Sequence, residues 1–595
     1  MRIFVYIMYE YSYMQIRIFV FYDTNIPVRE KESKCPMKIA LATINAKYIH
    51  TSLALRLLYV ANKERFDISF REYALKEDVE KMADELLLAG CDVIGLGVYC
   101  WNVRQIRQLV GLLKEKKPDL ILILGGPEVT YEPAFFLENW PVDYIISGEG
   151  EFVLGELLDA IRTHRTVDIG GVSFRGNTSR TIVQADLAKI AALPSPYRLP
   201  EDREKMKNRV IYFETSRGCP FHCQFCLASL EKEVRYYPED YIIENLDWLI
   251  ENGARQLKFL DRTFNLNKHH TQTVFEFLIS RYRPNLRCQF EINAGLLQDE
   301  LIDCLNKHLP DNYFRFEIGI QSTHEPTNRA IRRQQDFPLL ASSIRKLMQG
   351  GKVDLHLDLI AGLPHESFDR FVKSFNDVFE LRAKEVQLGF LKMLRGTGLR
   401  RNASIYGYQY DEEAPCEVKS HAELSESDLN RIRRAEHALE KYWNSGRFPR
   451  TMQTLFDSYY QGKYFELFDE IGTYRYINKL PDHGYQLEDL FRHLHEFLLS
   501  NGIDLFTTLR TDYYHCFSTR PPGFWKSTLD KKTGKSLLYE IGNDRDFLHT
   551  HNLTRRIIEK RAIIDPVSAN EYLLTVFPEN KQGILSFLYK TNLKS

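Results

Sequence analysis

The sequence predicts an α/β fold in three parts: a doubly wound parallel sheet, an open barrel of six βα units, and a mostly helical C-terminal region. Alternating strand and helix patterns predict the first two parts, over residues 37–165 and 208–400. The third part, residues 401–595, is predicted because this alternation stops near residue 400. A chain of 595 residues exceeds the usual size of one domain, so several domains are expected.

The composition limits the partners and the compartment. The formal net charge is −1, so no basic surface for nucleic acid or for an anionic membrane is expected. Ten cysteines are too few for a disulfide scaffold in so long a chain, and a cytoplasmic location is predicted. Residues 1–36 hold two apolar runs, each shorter than the ~20 residues of a membrane span. We treat this segment as a non-catalytic extension, with translation from Met37 as an open alternative.

The first alternating region has apolar runs at 38–44, 67–71, 92–98, 119–124 and 143–146. In a doubly wound sheet, ligands bind at the carboxyl ends of the strands. Four loops rich in glycine, aromatic and polar residues fall at these ends. Their candidate binding residues are Asn45, Tyr48, His50, Tyr99, Trp101, Asn102, Gly125, Gly126, Pro127, Glu128, Gly148, Glu149 and Gly150. From these residues alone, a nucleotide-binding Rossmann domain is an equal alternative.

Three cysteines follow a Cys-x3-Cys-x2-Cys spacing at Cys219, Cys223 and Cys226, and the aromatic Phe225 precedes the last of them. Three thiolates can hold a four-iron cluster and leave one iron open for an exogenous ligand. A zinc site with His222 as the fourth ligand is the alternative. The motif form favours the cluster.

The segment 166–207 contains glycine and proline pairs and predicts a linker before the second alternating region. There, strands are expected at 209–215, 255–260, 287–293, 313–320, 353–359 and 385–391. Active sites of βα barrels lie at the carboxyl ends of the strands. Polar or turn residues at or near these ends, the candidate site residues, are Asp261, Glu291, Asn293, Glu317, Gln321, Ser322, Gly362 and Pro364.

The cysteine loop and these strand-end motifs together resemble the radical S-adenosylmethionine (SAM) superfamily. The resemblance implies that Cys219, Cys223 and Cys226 bind a 4Fe–4S cluster. It also implies that Phe225, the strand-end residues and Arg332, which follows the fourth-strand motif, lie on the SAM side. The N-terminal loops resemble the cobalamin-binding domain that precedes the barrel in one branch of these enzymes. Arg262 stands where an acidic residue is common, and Arg395 stands where proline is common.

Other cobalamin proteins supply a histidine to cobalt through an Asp-x-His-x-x-Gly element, which is missing here. If cobalamin binds, this element does not supply its lower ligand. The implied activity is methylation of an unactivated carbon of an unknown small-molecule or natural-product-like substrate. A low-potential electron donor such as flavodoxin or ferredoxin is implied as a partner. Cobalamin-assisted cyclisation or rearrangement is one alternative, and a cobalamin- or redox-responsive binding module is another.

The C-terminal region begins its helical pattern at the capping-box sequence Ser425–Asp428. Further helical patterns follow at 451–470 and 486–500. The region resembles the uncharacterised domains that follow this pair of domains in some members, and the sequence assigns it no role.

Overall fold

The structure is a computed structural model that describes residues 37–231, 233–517, 529–568, 570–577 and 584–591. The predicted extension 1–36 lies outside the described residues. The described chain contains two six-stranded sheets in sequence order, followed by helices and a three-stranded sheet. The predicted fold class is confirmed. Within these ranges, no helix has both the length and the apolar character that crossing a bilayer requires.

The first sheet is doubly wound. Its strands are β1 (Lys38–Asn45), β2 (Asp67–Ala74), β3 (Val93–Gly97), β4 (Ile121–Gly125), β5 (Tyr144–Ile146) and β6 (Val172–Phe174). The accompanying helices are α1 (Leu53–Asn62), α2 (Val79–Leu88), α3 (Val103–Lys116), α4 (Pro127–Thr130), α5 (Pro133–Asn139) and α6 (Val153–Arg162). The strand order β2-β1-β3-β4-β5-β6 reverses direction at β1, which marks a topological switch point beside β3.

Part of the segment predicted to be a linker belongs to this sheet. Strand β6 pairs antiparallel with β5, and the amide of Val183 donates to the carbonyl of Ser147 over 3.0 Å. The linker prediction rested on glycine and proline pairs, and a strand of three residues is too short to show a period. The short helices α7 (Leu187–Ala191) and α8 (Pro200–Arg203) lead to the second sheet.

The second sheet is an open barrel of six parallel strands in the order β14-β13-β12-β11-β10-β7. The strands of this region are β7 (Val210–Phe213), β8 (Ser216–Arg217), β9 (Arg235–Tyr236), β10 (Gln256–Phe259), β11 (Arg287–Ile292), β12 (Phe314–Gln321), β13 (Asp354–Ala361) and β14 (Glu385–Phe390). The helices are α9 (Glu239–Glu251), α10 (Lys268–Ser280), α11 (Asp299–His308), α12 (Glu325–Ala330), α13 (Phe337–Gly350), α14 (Phe368–Phe379) and α15 (Gly398–Arg401). Strands β8 and β9 form a separate antiparallel pair beside the cysteine loop.

Alternation along the barrel strands separates an apolar outer face from a polar inner face. In β12, Phe314 and Phe316 are fully buried, whereas the intervening Arg315 and Glu317 are only half-buried. The outward phenylalanines pack under the helices, where the rings of Phe275 and Phe314 lie 5.0 Å apart. The barrel interior therefore carries charged side chains, as a ligand-binding mouth requires.

The C-terminal region is mostly helical and packs on the barrel. Its helices are α16 (Glu426–Leu439), α17 (Pro449–Ser458), α18 (Tyr464–Ile477), α19 (Leu487–Ser500), α20 (Phe506–Phe517), α21 (Lys531–Asn543), α22 (Arg545–Thr550) and α23 (Arg555–Arg561). Its strands are β15 (Gln409–Tyr410), β16 (Val418–Ser420), β17 (Ala562–Pro566), β18 (Glu571–Val576) and β19 (Leu585–Lys590). The predicted helical stretch 451–470 spans the break between α17 and α18. The indole of Trp443 donates to the carbonyl of Ala383, which ties this region to the start of β14.

Candidate active site

The cysteine loop leaves β8 through a glycine that the geometry requires. Gly218 has φ +93°, and a Cβ atom there would overlap the carbonyl oxygen of Glu233. The next residue, Cys219, donates its amide to the carbonyl of Glu231 over 2.9 Å. These contacts hold the start of the cysteine loop against Glu231 and Glu233, at the end of the loop.

The three thiols are sheltered and lie within electrostatic reach of one another. Cys219 and Cys223 are 8% and 6% exposed, and Cys226 is half-buried. Burial raises the pKa of Cys219 and of Cys223, and a negative charge on Cys226 raises both further. In the described ranges, no three His, Cys, Asp or Glu side chains converge closely enough to hold a single ion. In a four-iron cluster, each cysteine thiolate binds a different iron atom. Three thiols that do not converge on a single point therefore suit such a cluster.

A cationic donor faces the middle cysteine. The guanidinium of Arg333 lies 3.8 Å from Cys223 Sγ, and its Nε atom donates to Gln335. The neighbouring Arg332, which the family resemblance placed on the SAM side, has φ +52° and an exposed side chain. That left-handed residue reverses the local direction of the chain, so the second of two adjacent arginines reaches the loop. No periodic signal in the sequence distinguishes the two arginines.

Because hydrogen bonds and positive charge at cluster sulfurs raise the reduction potential, Arg333→Gln is expected to lower it. We expect a shift on the order of tens of millivolts, read from a redox titration followed by electron paramagnetic resonance (EPR). Arg332→Gln is the matched control and should leave the potential unchanged. Equal potentials in wild type and Arg333→Gln would contradict the role of this contact.

Asp261 holds the strand that leads to the cysteines. Its carboxylate accepts from the hydroxyls of Thr215 and Ser216, each over 2.5 Å, and from the Thr215 amide over 3.1 Å. Burial raises the pKa of Asp261 to about 6, although the hydrogen bonds oppose this rise. These bonds make Asp261 a positioning residue for the cysteine loop.

Glu291 and Glu317 lie on the inner faces of neighbouring strands. Glu317 forms an ion pair with Lys258 over 3.2 Å and accepts a hydrogen bond from Gln289. Glu291 has no hydrogen bond or ion pair within the described residues, and burial raises its pKa to about 7. Asn293 instead accepts from the amide of Gly295 and closes the strand end. Of these side chains, Glu291 is the one available to a ligand.

The other predicted barrel residues shape the mouth through buried contacts. The hydroxyl of Ser322 donates to Glu366 over 2.5 Å, and burial raises the pKa of Glu366 to about 7. Gln321 has φ +71° at a bulge of β12, which re-aims its side chain. Gly362 turns the chain with φ +94°, Pro364 is buried, and Phe225 packs against the main core while half-buried.

The loop after β1 contacts the barrel as well as its own sheet. The amide of Val210 in β7 donates to the carbonyl of Ile49 over 2.7 Å, and His50 Nδ1 lies 2.9 Å from the Tyr212 hydroxyl. Asn45 donates to the His50 carbonyl, and the Arg209 guanidinium lies over the exposed Tyr48 ring. Burial lowers the pKa of His50. Of the residues predicted here, Tyr48 remains the most accessible.

The loop after β3 presents a flat aromatic surface. Tyr99 and Trp101 stack with ring centroids 4.4 Å apart, and Trp101 is 47% exposed. Asn102 is fully buried, accepts from the Tyr99 amide and donates to the carbonyl of Ile44. Asn102 therefore shapes the loop, and the aromatic pair provides the surface on which a planar macrocycle can pack.

The loop after β4 docks on the end of the barrel. Gly126 has φ +105°, and a Cβ atom there would lie 2.6 Å from the Val98 carbonyl oxygen. Gly125 precedes this turn, and Pro127 opens α4. Glu128 is buried, and its carboxylate lies 3.5 Å from the guanidinium of Arg395. Burial raises the pKa of Glu128, although Arg395 opposes the rise. The arginine that departs from the family pattern thus pairs with the first domain.

The loop after β5 joins the cysteine loop through buried charges. Gly148 has φ +102° beside Val183, and Gly150 is half-buried next to Leu58. Arg217 pairs with Glu149 over 3.0 Å, and a second arginine, Arg235, also pairs with Glu149. Although burial alone raises the pKa of Glu149, the two guanidiniums hold it below its ordinary value. Sequence reasoning missed these arginines, because no local pattern links them to a loop of another sheet.

Family comparisons match all three parts of the chain. Residues 39–158 match the B12 binding domain, and residues 213–378 match the radical SAM superfamily. The resemblance drawn from the sequence is confirmed. These two domains imply a 4Fe–4S cluster, SAM and cobalamin as cofactors. Residues 404–584 match a protein family of unknown function, DUF4080.

Similar proteins agree with this assignment. The chain is 27% identical over 319 residues to the cobalamin-dependent radical SAM methyltransferase TokK of Streptomyces tokunonensis, covering 50% of this chain and 45% of TokK. The chain thus spans about half the length of this curated relative. The cobalamin-dependent SAM radical enzyme OxsB superposes with a TM-score of 0.58 at 14% identity, covering 86% of each chain. The methyltransferase TsrM of Kitasatospora setae was solved with cobalamin and a 4Fe–4S cluster. It superposes with a TM-score of 0.53 at 16% identity, and the match covers 63% of this chain and 81% of the TsrM chain.

Proposed function

We propose that this protein is a cobalamin-dependent radical SAM enzyme that methylates an unactivated carbon of a small-molecule substrate. The observation that carries the proposal is the direct docking of two ligand-binding sheet edges. Buried ion pairs join Glu149 to Arg217 beside the cysteines and Glu128 to Arg395 in the loop after β14. A corrin held by the first edge would therefore face a cluster held by the second.

When bound, the cluster and SAM supply a 5′-deoxyadenosyl radical, and cobalamin supplies a methyl group. The chain's own residues bind and orient these groups. The three cysteines hold the cluster, and Arg333 balances its negative charge at Cys223. Glu291 faces the mouth and is available to hydrogen-bond SAM. Tyr99 and Trp101 offer an apolar surface to the corrin and exclude water from it.

Partners and location follow from this chemistry. The cluster must be reduced, so a low-potential electron donor such as flavodoxin or ferredoxin is the expected partner. Because free cysteines persist in a reducing compartment, we propose that the protein is located in the cytoplasm. We retain the domain division at residues 37–165, 208–400 and 401–595, and we add β6 to the first domain. The C-terminal domain has no assigned role in the reaction.

Anaerobic reconstitution with iron, sulfide and hydroxocobalamin tests the function. After reduction in the presence of SAM, 5′-deoxyadenosine and S-adenosylhomocysteine are quantified with and without cobalamin. We expect 5′-deoxyadenosine in the loaded enzyme, and S-adenosylhomocysteine only when cobalamin is present. Turnover that yields 5′-deoxyadenosine without S-adenosylhomocysteine would favour cyclisation or rearrangement. A protein that loads both cofactors and yields neither product would favour a binding module.

A further inference from the structure

The turn that follows β13 carries two residues in the left-handed conformation. Gly362 has φ +94°, and His365, three positions later, has φ +61°. Only glycine adopts such values without strain, so contacts from the surroundings are needed to hold His365 in this conformation. The family resemblance implies that this turn, with Gly362 and Pro364, lies on the SAM side of the barrel. Residues that hold the turn are therefore expected to affect SAM binding.

The C-terminal region contacts the first of these two residues. The hydroxyl of Tyr408 donates to the carbonyl of Gly362 over 2.9 Å, and Tyr408 is only 5% exposed. A Cβ atom on Gly362 would lie 3.7 Å from Val418 and 3.9 Å from Leu429, which belong to the same region. A hydrogen bond shielded from water in this way is stronger than an exposed one. The orientation of the glycine carbonyl thus depends on the C-terminal region.

A carboxylate of the same region holds the second residue. Glu423 accepts from the His365 amide over 3.0 Å, and its other oxygen lies 3.1 Å from His365 Nδ1. The Glu423 amide in turn donates to Nδ1 of His421 over 3.3 Å. The rings of His421 and Tyr408 lie 5.3 Å apart. Tyr408 and Glu423 therefore belong to one cluster of side chains, which packs on both left-handed residues.

Backbone pairing anchors this cluster to the last strand of the barrel. The Val418 amide donates to the carbonyl of Leu391 over 2.9 Å, and the Met393 amide donates to the carbonyl of Cys416 over 2.8 Å. Residues 391 and 393 follow β14, which is an edge strand of the sheet. The C-terminal region thus extends the barrel at the carboxyl ends of its strands, where βα barrels bind their ligands.

We propose that Tyr408 and Glu423 are positioning residues for SAM, which gives the region of unknown function a role in the reaction. The proposal rests on the proposed function, because the turn that they hold is the one expected beside SAM. Neither side chain needs to contact SAM, since the hydroxyl and the carboxylate act on the backbone of the turn. Without either group, the turn must be ordered when SAM binds, and this ordering weakens binding without changing the cleavage step.

Anaerobic equilibrium dialysis of labelled SAM against oxidised, cluster-loaded protein tests this proposal. Cleavage of SAM needs an electron, so the dissociation constant can be measured without turnover. We expect Tyr408→Phe and Glu423→Ala each to raise it about three- to tenfold, which corresponds to the loss of a buried hydrogen bond. Glu423→Gln keeps an acceptor for the His365 amide and should recover most of the affinity. The control Tyr459→Phe removes the hydroxyl of an exposed tyrosine of the same region and should change nothing.

A second measurement separates positioning from a general structural role. Cluster content and cobalamin absorbance should match wild type in every variant. In uncoupled 5′-deoxyadenosine formation, the KM for SAM should rise in Tyr408→Phe and Glu423→Ala, while kcat stays within about twofold. Loss of the cluster or of cobalamin in these variants, or a lower kcat at unchanged KM, would overturn the proposal.

The dialysis also separates this proposal from the proposed function. If wild type binds SAM and both variants bind it equally well, the positioning role is wrong and the proposed function is unaffected. If wild type loads its cluster but binds no SAM, both are overturned.

Discussion

Replacing Cys223 with alanine is expected to abolish cluster binding and to reduce 5′-deoxyadenosine formation to background. The loop offers three thiolates, and losing one leaves too few ligands to hold a four-iron cluster. Cys223 is also the thiol that receives the Arg333 contact, so its loss removes the most strongly supported of the three positions. Absorbance and EPR after anaerobic reconstitution measure the cluster, and chromatography measures the nucleoside.

Two internal controls separate cluster loss from unfolding. Cys304→Ala removes a half-buried cysteine of α11, outside the cysteine loop, and should retain a full cluster. Cobalamin absorbance should persist in Cys223→Ala, because the candidate corrin loops belong to the other sheet. A Cys223→Ala protein with wild-type cluster content would refute the ligand assignment.

Apart from β6, the main strands of both sheets were predictable because burial imposes a simple pattern on them. Strand β1 is buried along almost its entire length and reads as one apolar run. Strand β12 alternates between outward phenylalanines and inward charged residues, which is the pattern of a barrel wall with a polar interior. Cofactor-binding residues were predicted from where these runs stop. Burial and strand ends are local properties, so one sequence is enough to find them.

The C-terminal sheet and the contacts between domains were not predictable in this way. Strands β17, β18 and β19 are short, antiparallel and separated by turns, so no long period marks them. Arg217 and Glu149 are distant in sequence and belong to different sheets. Their pairing depends on how two folded units dock, and no sequence motif predicts this docking. The same limit explains why the contact of Arg333 with Cys223 was not predicted.

Arg217→Gln is expected to destabilise the junction between the two cofactor-binding edges. The guanidinium pairs with Glu149 over 3.0 Å, with Glu151 over 2.8 Å and with Glu214 over 2.6 Å, and all four side chains are mostly buried. Removing the cation leaves three carboxylates close together without their shared counterion. Breaking a buried pair in this way costs about 3 to 5 kcal/mol. A cost of that size lowers the unfolding midpoint of a unit of 150–250 residues by roughly 6 to 20 °C.

Thermal unfolding followed by circular dichroism measures this effect, and cobalamin affinity measures its functional consequence. Arg329→Gln is the control, because its pair with Glu325 is exposed on one helical turn and should contribute less than about 1 kcal/mol. The double variant Arg217→Gln/Glu151→Gln removes one of the carboxylates that lost their counterion, so it should recover part of the lost midpoint. Recovery of cobalamin affinity in parallel would mean that the charge pairing itself holds the corrin edge against the cysteine loop. A wild-type midpoint and affinity in Arg217→Gln would mean that apolar packing alone holds the two edges together.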